Sequence, residues 1–306
     1  LQTKFVPVSG DCKELQFGHS SARNWFMDVV SHTNDPNLRE QLKQHGDEGN
    51  TAQGLYIVGA DGKLYGWIND HNVAEVQKFL QRGLAEYQSH PPSTIQIQQS
   101  TVNERFSMVP DPSTSVIRVF TRVHPVPRGS DELNNGIGRD HFWILRDELQ
   151  QITSSIQDNG RPFALPSPLV ARMVRFHLID NVRGEPDMWK PEEVKQKNFS
   201  ARYVGGNASA KFYEFHGDFG QRTSDGKRGL QGSIDGRFQV AITQLKISQF
   251  RAFAQMKAWG ASRFTPGAPA GQFPLLTAMV EANDQVSQVV PPQALYEWSD
   301  YYLKPQ

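Results

Sequence analysis

The sequence predicts an α+β fold in two lobes. Residues 1–90 read as an α/β unit, and residues 91–306 as an antiparallel β-rich domain with packed helices. Three observations carry this. Helical apolar stripes alternate with short apolar runs in the front lobe. His90-Pro91-Pro92-Ser93 then forms a stiff linker in which helix cannot continue. Residues 199–259 alternate polar and apolar side chains between turn signals, the pattern of an antiparallel meander.

In the front lobe, Phe5–Val8 reads as a short strand. Ser20–Val30 carries Trp25, Phe26, Val29 and Val30 at helical spacing, and Asn34–Gln44 is a second helix with Pro36 near its start. Gly54–Val58 and Lys63–Ile68 are strands around the tight turn Asp61-Gly62. Asn69 or Asp70 caps the next helix, whose apolar face is Val73, Val76, Phe79, Leu80 and Leu84.

In the back lobe, Ser93–Val109 and Thr114–Val123 are strand-rich. Along the second, Val116, Arg118, Phe120 and Arg122 face one way; Ile117, Val119, Thr121 and Val123 face the other. The turn Asn134-Asn135-Gly136-Ile137-Gly138 leads into Arg139-Asp140-His141-Phe142-Trp143, then a helix from about Arg146 to Ile156. Ser167-Pro168 starts another helix, with serine as cap and Leu169, Met173 and Phe176 as its stripe. Gly184 and Pro186 end it. Pro191–Lys197 is a short charged helical turn.

Lys211–Phe219 alternates, and Ser224-Asp225-Gly226-Lys227 and Asp235-Gly236 are hairpin turns. Arg237–Thr243 and Gln244–Trp259 continue the sheet, with Phe250, Ala252, Ala254, Met256 and Ala258 on one side. From Gly260 onward Pro, Gly and Ala dominate. That predicts an irregular tail anchored by Phe273, Leu275, Leu276, Tyr296 and Trp298. Tyr296, Trp298, Tyr301 and Tyr302 would serve as a contact surface or pin the tail to its own domain, and the second is favoured.

Composition excludes several classes. The chain is polar, with 38% hydrophobic residues and a mean hydropathy of −0.55, yet its 10% aromatic content supplies core material and argues against disorder. Formal net charge is zero, so the basic footprint of a nucleic-acid binder is missing, as is a polybasic membrane patch. Arg118, Arg122 and Arg128 read as one wet strand face. No apolar run is long enough to cross a bilayer, which excludes an integral membrane protein of the helical kind. No signal peptide is visible, and Leu1 in place of methionine reads as a processed or trimmed start. Cys12 is the single cysteine, so an internal disulfide, a cysteine zinc site and a CxxC pair are all excluded.

The element order of residues 1–90 resembles the later part of a thioredoxin-like fold. The resemblance places the family's first strand and CxxC helix start before Leu1. It also places a cis-proline just before the strand at Gly54, where this chain has Thr51-Ala52-Gln53. It therefore implies the scaffold without its redox centre, because thiol chemistry needs a low-pKa thiolate at a helix start. A CxxC upstream of Leu1 would revive that class. The whole chain resembles a group of uncharacterised bacterial proteins thought to be exported. Phe5-Val6-Pro7-Val8, Gln53-Gly54-Leu55-Tyr56, Gly138–Trp143 and Arg175–Pro186 carry that likeness. It implies architecture and a periplasmic or extracellular location, and no activity.

Four constellations bear on chemistry. The segment Arg175–Trp189 is the densest in polar groups, and such groups must find partners if buried. On a continuing helix, His177, Asp180 and Asn181 share a face, the pairing used for metal binding or general-base work. A core histidine bonded to Asp180, or one complementing a helix C-terminus, is the favoured explanation. Arg139, His141 and Trp143 share one side of a strand, with Asp140 and Phe142 on the other. Arg139 offers a donor fork for carboxylate or phosphate, or an inter-domain salt bridge. Glu214, His216 and Asp218 alternate as ligands for zinc or another divalent ion would, although a solvated strand face looks the same and is favoured. Arg183 and Glu185 flank Gly184 as a clamp. No GxSxG elbow, phosphate loop, HExxH or GxGxxG occurs.

These observations predict a non-redox binding or structural module for an unknown protein or small-molecule ligand, with no cofactor. The alternative is a metal-dependent hydrolase-like enzyme using His141, His177 and Asp180, with Arg139 a further catalytic candidate. A divalent ion would then draw on His141, His177, His216 and Asp218.

Overall fold

The computed structural model describes residues 4–8, 10–43, 51–70, 72–91, 106, 108–130, 132–155, 160–184, 186–262 and 265–305. Contacts divide the chain into two units, Leu1–Ser107 and Met108–Gln306. Most of the strand-rich stretch expected at Ser93–Val109 lies outside the described residues.

The first unit opens with α1 (Cys12–Phe17), whose first N–H groups are taken up by the Asp11 carboxylate. Ser20 caps α2 (Ser21–Ser31), which buries Phe26, Val29 and Val30. Helix α3 (Pro36–Lys43) buries Leu38 and is capped by Asp35. Strands β1 (Leu55–Val58) and β2 (Leu64–Ile68) pair antiparallel, and Gly62, at φ 78°, turns the chain between them. Helix α4 (Val73–Ser89) is capped by Asn72, later than the expected Asn69 or Asp70. Its Phe79 packs in a small core with Ile57 and Tyr65. Phe5–Val8 forms no strand: Pro7 lacks a ladder donor, and Val6 and Val8 are exposed.

Among the described residues, the second unit is an eight-stranded antiparallel sheet with two helices on its inner face and a C-terminal helix packed at one end against Val116 and Trp143. Its strands are β3 (Ser115–Val123), β4 (Gly138–Ile144), β5 (Phe163–Ala164), β6 (Val194–Gly206), β7 (Ala210–Arg222), β8 (Gly229–Ala241), β9 (Lys246–Trp259) and β10 (Gln272–Glu281). Their spatial order is β4-β3-β10-β9-β8-β7-β6-β5. The inner face carries Phe215, Phe219, Ile234, Phe238, Phe250 and Ala254. Against it pack Leu149 and Ile152 of α5 (Arg146–Ser154), and Leu169 and Met173 from α6 (Ser167–Arg172) and its continuation. Each such apolar side chain contributes roughly 1.5–3 kcal/mol by leaving water.

Several expectations are corrected. Ser167 is the first helical residue and makes no cap bond; Pro166 precedes it. Helix α6 runs into a π turn, Met173–His177, closed by Leu178 N–H donating to Met173 C=O at 2.9 Å. The helix thus ends at His177, well before Gly184 and Pro186. Only Pro191–Glu193 forms a 3-10 turn, and β6 begins at Val194. Asp235 and Gly236 lie inside β8, and that hairpin reverses at residues 242–245. The region after Gly260 is not an irregular tail. It supplies β10, inserted between β3 and β9, and then α7 (Ala294–Leu303).

Gly236 is small because of packing. A Cβ there would lie 2.2 Å from the Phe215 ring and 2.8 Å from Ala252 Cβ. Gly236→Val is expected to lower unfolding free energy in urea by roughly 1–3 kcal/mol, the usual range for overpacking.

Candidate functional site

Polar groups enter the second unit's core where the end of α6 meets the outer edge of β4. Strand β4 pairs with β3 on one side only, so alternate backbone groups on its other side need partners. Trp143 N–H donates to the Tyr302 hydroxyl at 3.1 Å, and Trp143 C=O accepts from Arg172 Nη1 at 3.3 Å. His141 N–H donates to Asp140 Oδ1 at 2.7 Å. Helices α6 and α7 thus seal the edge with side chains.

Two linked networks result. Tyr302 Oη lies 2.8 Å from His177 Nε2. The hydroxyl also accepts from Trp143; with its own proton directed to Nε2, Nδ1 would be the protonated ring nitrogen facing Asp140. Nδ1 lies 3.1 Å from Asp140 Oδ2, at an angle too poor for a full hydrogen bond. Asp140 Oδ1 also accepts from Gln293 N–H at 3.0 Å. In the second network, Arg172 Nη1 contacts both Glu148 oxygens, at 2.7 and 2.9 Å, and Nε donates to Tyr302 C=O at 2.8 Å. Glu148 Oε2 further accepts from Leu145 N–H. Burial pushes the Glu148 carboxyl up, against the downward pull of Arg172 and Leu145. Burial likewise holds the Tyr302 phenol well above its ordinary value, so it stays neutral. Next along the π turn, Arg175 Nε donates to Trp189 C=O at 2.8 Å.

An Asp–His–Tyr chain is the geometry of a proton relay. Here it ends on a backbone amide, not in a cleft. Tyr302 is 0% exposed, His177 1% and Asp140 9%. The adjoining cavity, beside Asp140, Arg175, Phe176 and Gln293, is about 20 Å³, room for a single water. A wider depression of about 460 Å³ sits among Trp259, Gly260 and residues 267–271, with Lys227 the one titratable group among its described lining residues.

The structure distributes the predicted residues differently. His177 meets Asp140, not Asp180, because Leu178 leaves helical geometry and carries Asp180 and Asn181 off that face. Asp180 forms an ion pair with Arg183, whose Nη1 donates to Asn134 at 2.8 Å and whose guanidinium lies over the Phe273 ring. Glu185, the other half of the expected clamp, lies outside the described residues. Arg139 is exposed on β4. His141 is half-buried, its Nε2 has no partner, and burial pushes its pKa down. His216 stands exposed on β7, with Nδ1 2.8 Å from Asp235 and Nε2 3.5 Å from Asp218. Glu214 pairs instead with Arg202. Strand β7 is five positions from β4, roughly 24 Å along the sheet. Among the described residues, no group of three or more His, Cys, Asp or Glu side chains is placed to hold a metal. Burial and the neighbouring Asp11 push the Cys12 thiol up, away from a reactive thiolate.

Comparison with family models, with curated proteins and with solved structures found no match to this chain. No helix among the described residues is long and apolar enough to cross a membrane.

Sequence reasoning missed Arg172, Glu148, the role of Asp140 and that of Tyr302. One signal was present: Arg172 and Arg175 punctuate the apolar stripe Leu169, Met173, Phe176, an odd place for two cations on a packed helix.

Arg172→Met leaves Glu148 buried and unpaired, and is expected to lower stability by roughly 3–5 kcal/mol. Adding Glu148→Leu recovers most of that loss in urea unfolding, since the stranded charge is then gone. His216 behaves in the opposite, exposed manner. Its hydrogen bond to Asp235 raises its pKa above 6.5, the ordinary value. The pair's small, solvent-screened contribution is therefore full below that value and fades as pH rises through the raised pKa. An NMR titration checks this, and Asp235→Asn brings the pKa back down.

Proposed function

We propose that the protein is a non-redox binding or structural module, in which the polar knot at the end of α6 holds helices to the sheet edge. The supporting observation is inaccessibility: the Asp140–His177–Tyr302 chain is buried, and its last hydroxyl is committed to β4 backbone. A group acting on substrate must reach it within hydrogen-bond distance, and here packed side chains intervene. The lone, up-shifted Cys12 supports the non-redox part. The helix, hairpin, helix order of the first unit supports a partial thioredoxin-like scaffold, and the resemblance to exported proteins carries a periplasmic or extracellular location with it. The hydrolase-like alternative would need His141, His177 and Asp180 to converge; both histidines contact Asp140, one through its backbone, whereas Asp180 is paired with Arg183.

Elemental analysis of untagged protein is expected to find no stoichiometric divalent metal. His177→Ala and Arg183→Ala are expected to lower stability by at least about 1–3 kcal/mol, the penalty for stranding buried polar partners. Stoichiometric metal lost on His177→Ala, with the melt unchanged, would overturn this reading in favour of the hydrolase.

A further inference from the structure

The outer face of the large sheet is not uniformly polar. Across β3, β10 and β9, the register places Phe120, Ala278 and Phe253 side by side. Leu276 and Val280 extend this apolar strip along β10. Phe253 is 44% exposed, and the other four are half-buried. Small Ala278 between two phenylalanines makes a trough two strand spacings across, roughly 10 Å.

The surround is cationic. Arg118 and Arg122 on β3, Arg139 on β4 and Arg251 on β9 share this face with the trough. The outward positions of β4, β3, β10 and β9 carry no Asp or Glu. Among the described residues, Arg122, Arg139 and Arg251 form no ion pair. Arg118 reaches Asp284 only at 4.0 Å, Glu281 lies near Arg251, and Asp235 on β8, paired with His216, stands opposite Phe253. Arg118 Nε and the cross-strand neighbour His141 Nε2 are both buried without hydrogen-bond partners. A chain of zero net charge has thus gathered cations around its one described apolar strip on this face.

We propose that this face docks an acidic amphipathic helix of a partner protein, apolar along one side with carboxylates on both flanks. The inference rests on the binding-module reading and names its partner class. Three features select this occupant. A helix with its side chains is about 10–12 Å wide, close to the two strand spacings that separate the phenylalanine strands. Leu276, Ala278 and Val280 repeat about every 6.6 Å, near the 5.4 Å helical turn, so apolar side chains at i, i+3/i+4 and i+7 meet them in succession. Arg118 and Arg122 beside Phe120, Arg139 beyond it and Arg251 beside Phe253 suit flanking carboxylates. A single-stranded nucleic acid fits less well: stacking platforms offer rings to successive bases, and here Ala278 separates the two rings by a full strand.

Fluorescence polarisation on the full chain tests the proposal. The probe is a labelled peptide of about 18 residues, five helical turns, with leucines on one face and glutamates on both flanks. Controls are its scrambled sequence, a version with lysine for glutamate, labelled single-stranded oligo-dT, and vesicles of phosphatidylglycerol and phosphatidylcholine. The acidic amphipathic peptide is expected to bind at least about tenfold tighter than the other two peptides, and more weakly as salt rises. Arg122→Glu with Arg251→Glu, and separately Ala278→Trp, each weaken it about tenfold while the melt stays at wild type. Equal binding of the scrambled peptide, or indifference to these variants, overturns the proposal. Tighter capture of oligo-dT or vesicles, lost in the same variants, also overturns it but keeps the binding-module reading. Stoichiometric metal with hydrolysis would sink that reading by itself, leaving this surface to be judged on peptide binding.

Discussion

The unpaired side of β4 is the constraint around which the second unit is built. An open sheet must end somewhere, and an end exposes amide and carbonyl groups that either hydrogen-bond or recruit another chain. Trp143 presents both groups, and both are taken by side chains from other elements: the Tyr302 hydroxyl and the Arg172 guanidinium. Each of those needs further partners once buried, which draws in His177, Asp140 and Glu148. The buried polar cluster around the end of α6 thus follows from sealing an edge with side chains instead of another strand.

Such a seal contributes more to arrangement than to net stability. Desolvating Arg172 and Glu148 is expensive, and an apolar pair of similar volume would do as well energetically. What the charged pair adds is selectivity of packing. Arg172 Nε and Nη1 find their partners only when α5, α7 and β4 are all in register around them. The inner face of the sheet tells the complementary story. There Phe215, Phe238 and Phe250 supply the burial, and Gly236 makes room for one ring.

The local pattern made the meander legible. Alternation at Phe250, Ala252, Ala254, Met256 and Ala258 places one face inward with no knowledge of neighbours. The two sides of β3 and of β4 follow by the same rule. Features depending on distant chain were not legible. Asp235-Gly236 has turn chemistry, and only the Phe215 ring above it shows why glycine belongs in a strand. Pro274 and the glycine-rich run before it disguise β10, whose partners lie 152–164 residues away in β3 and 13–29 residues away in β9. For the site, helical spacing pointed from His177 to Asp180. The π turn breaks that spacing, and the carboxylate that faces His177 is Asp140, on a strand 37 residues earlier.

The position of β10 also sets an order of assembly. The β3–β4 hairpin and the β6–β9 meander share no ladder until β10 joins them. It is the last of the ten described strands to leave the ribosome. Until then the nascent chain holds two half-sheets, each with a raw margin, and only afterwards does α7 arrive with Tyr302. Closure of so distant a pairing is slow compared with hairpin formation, so the growing polypeptide spends its most vulnerable interval just before synthesis of this strand is complete.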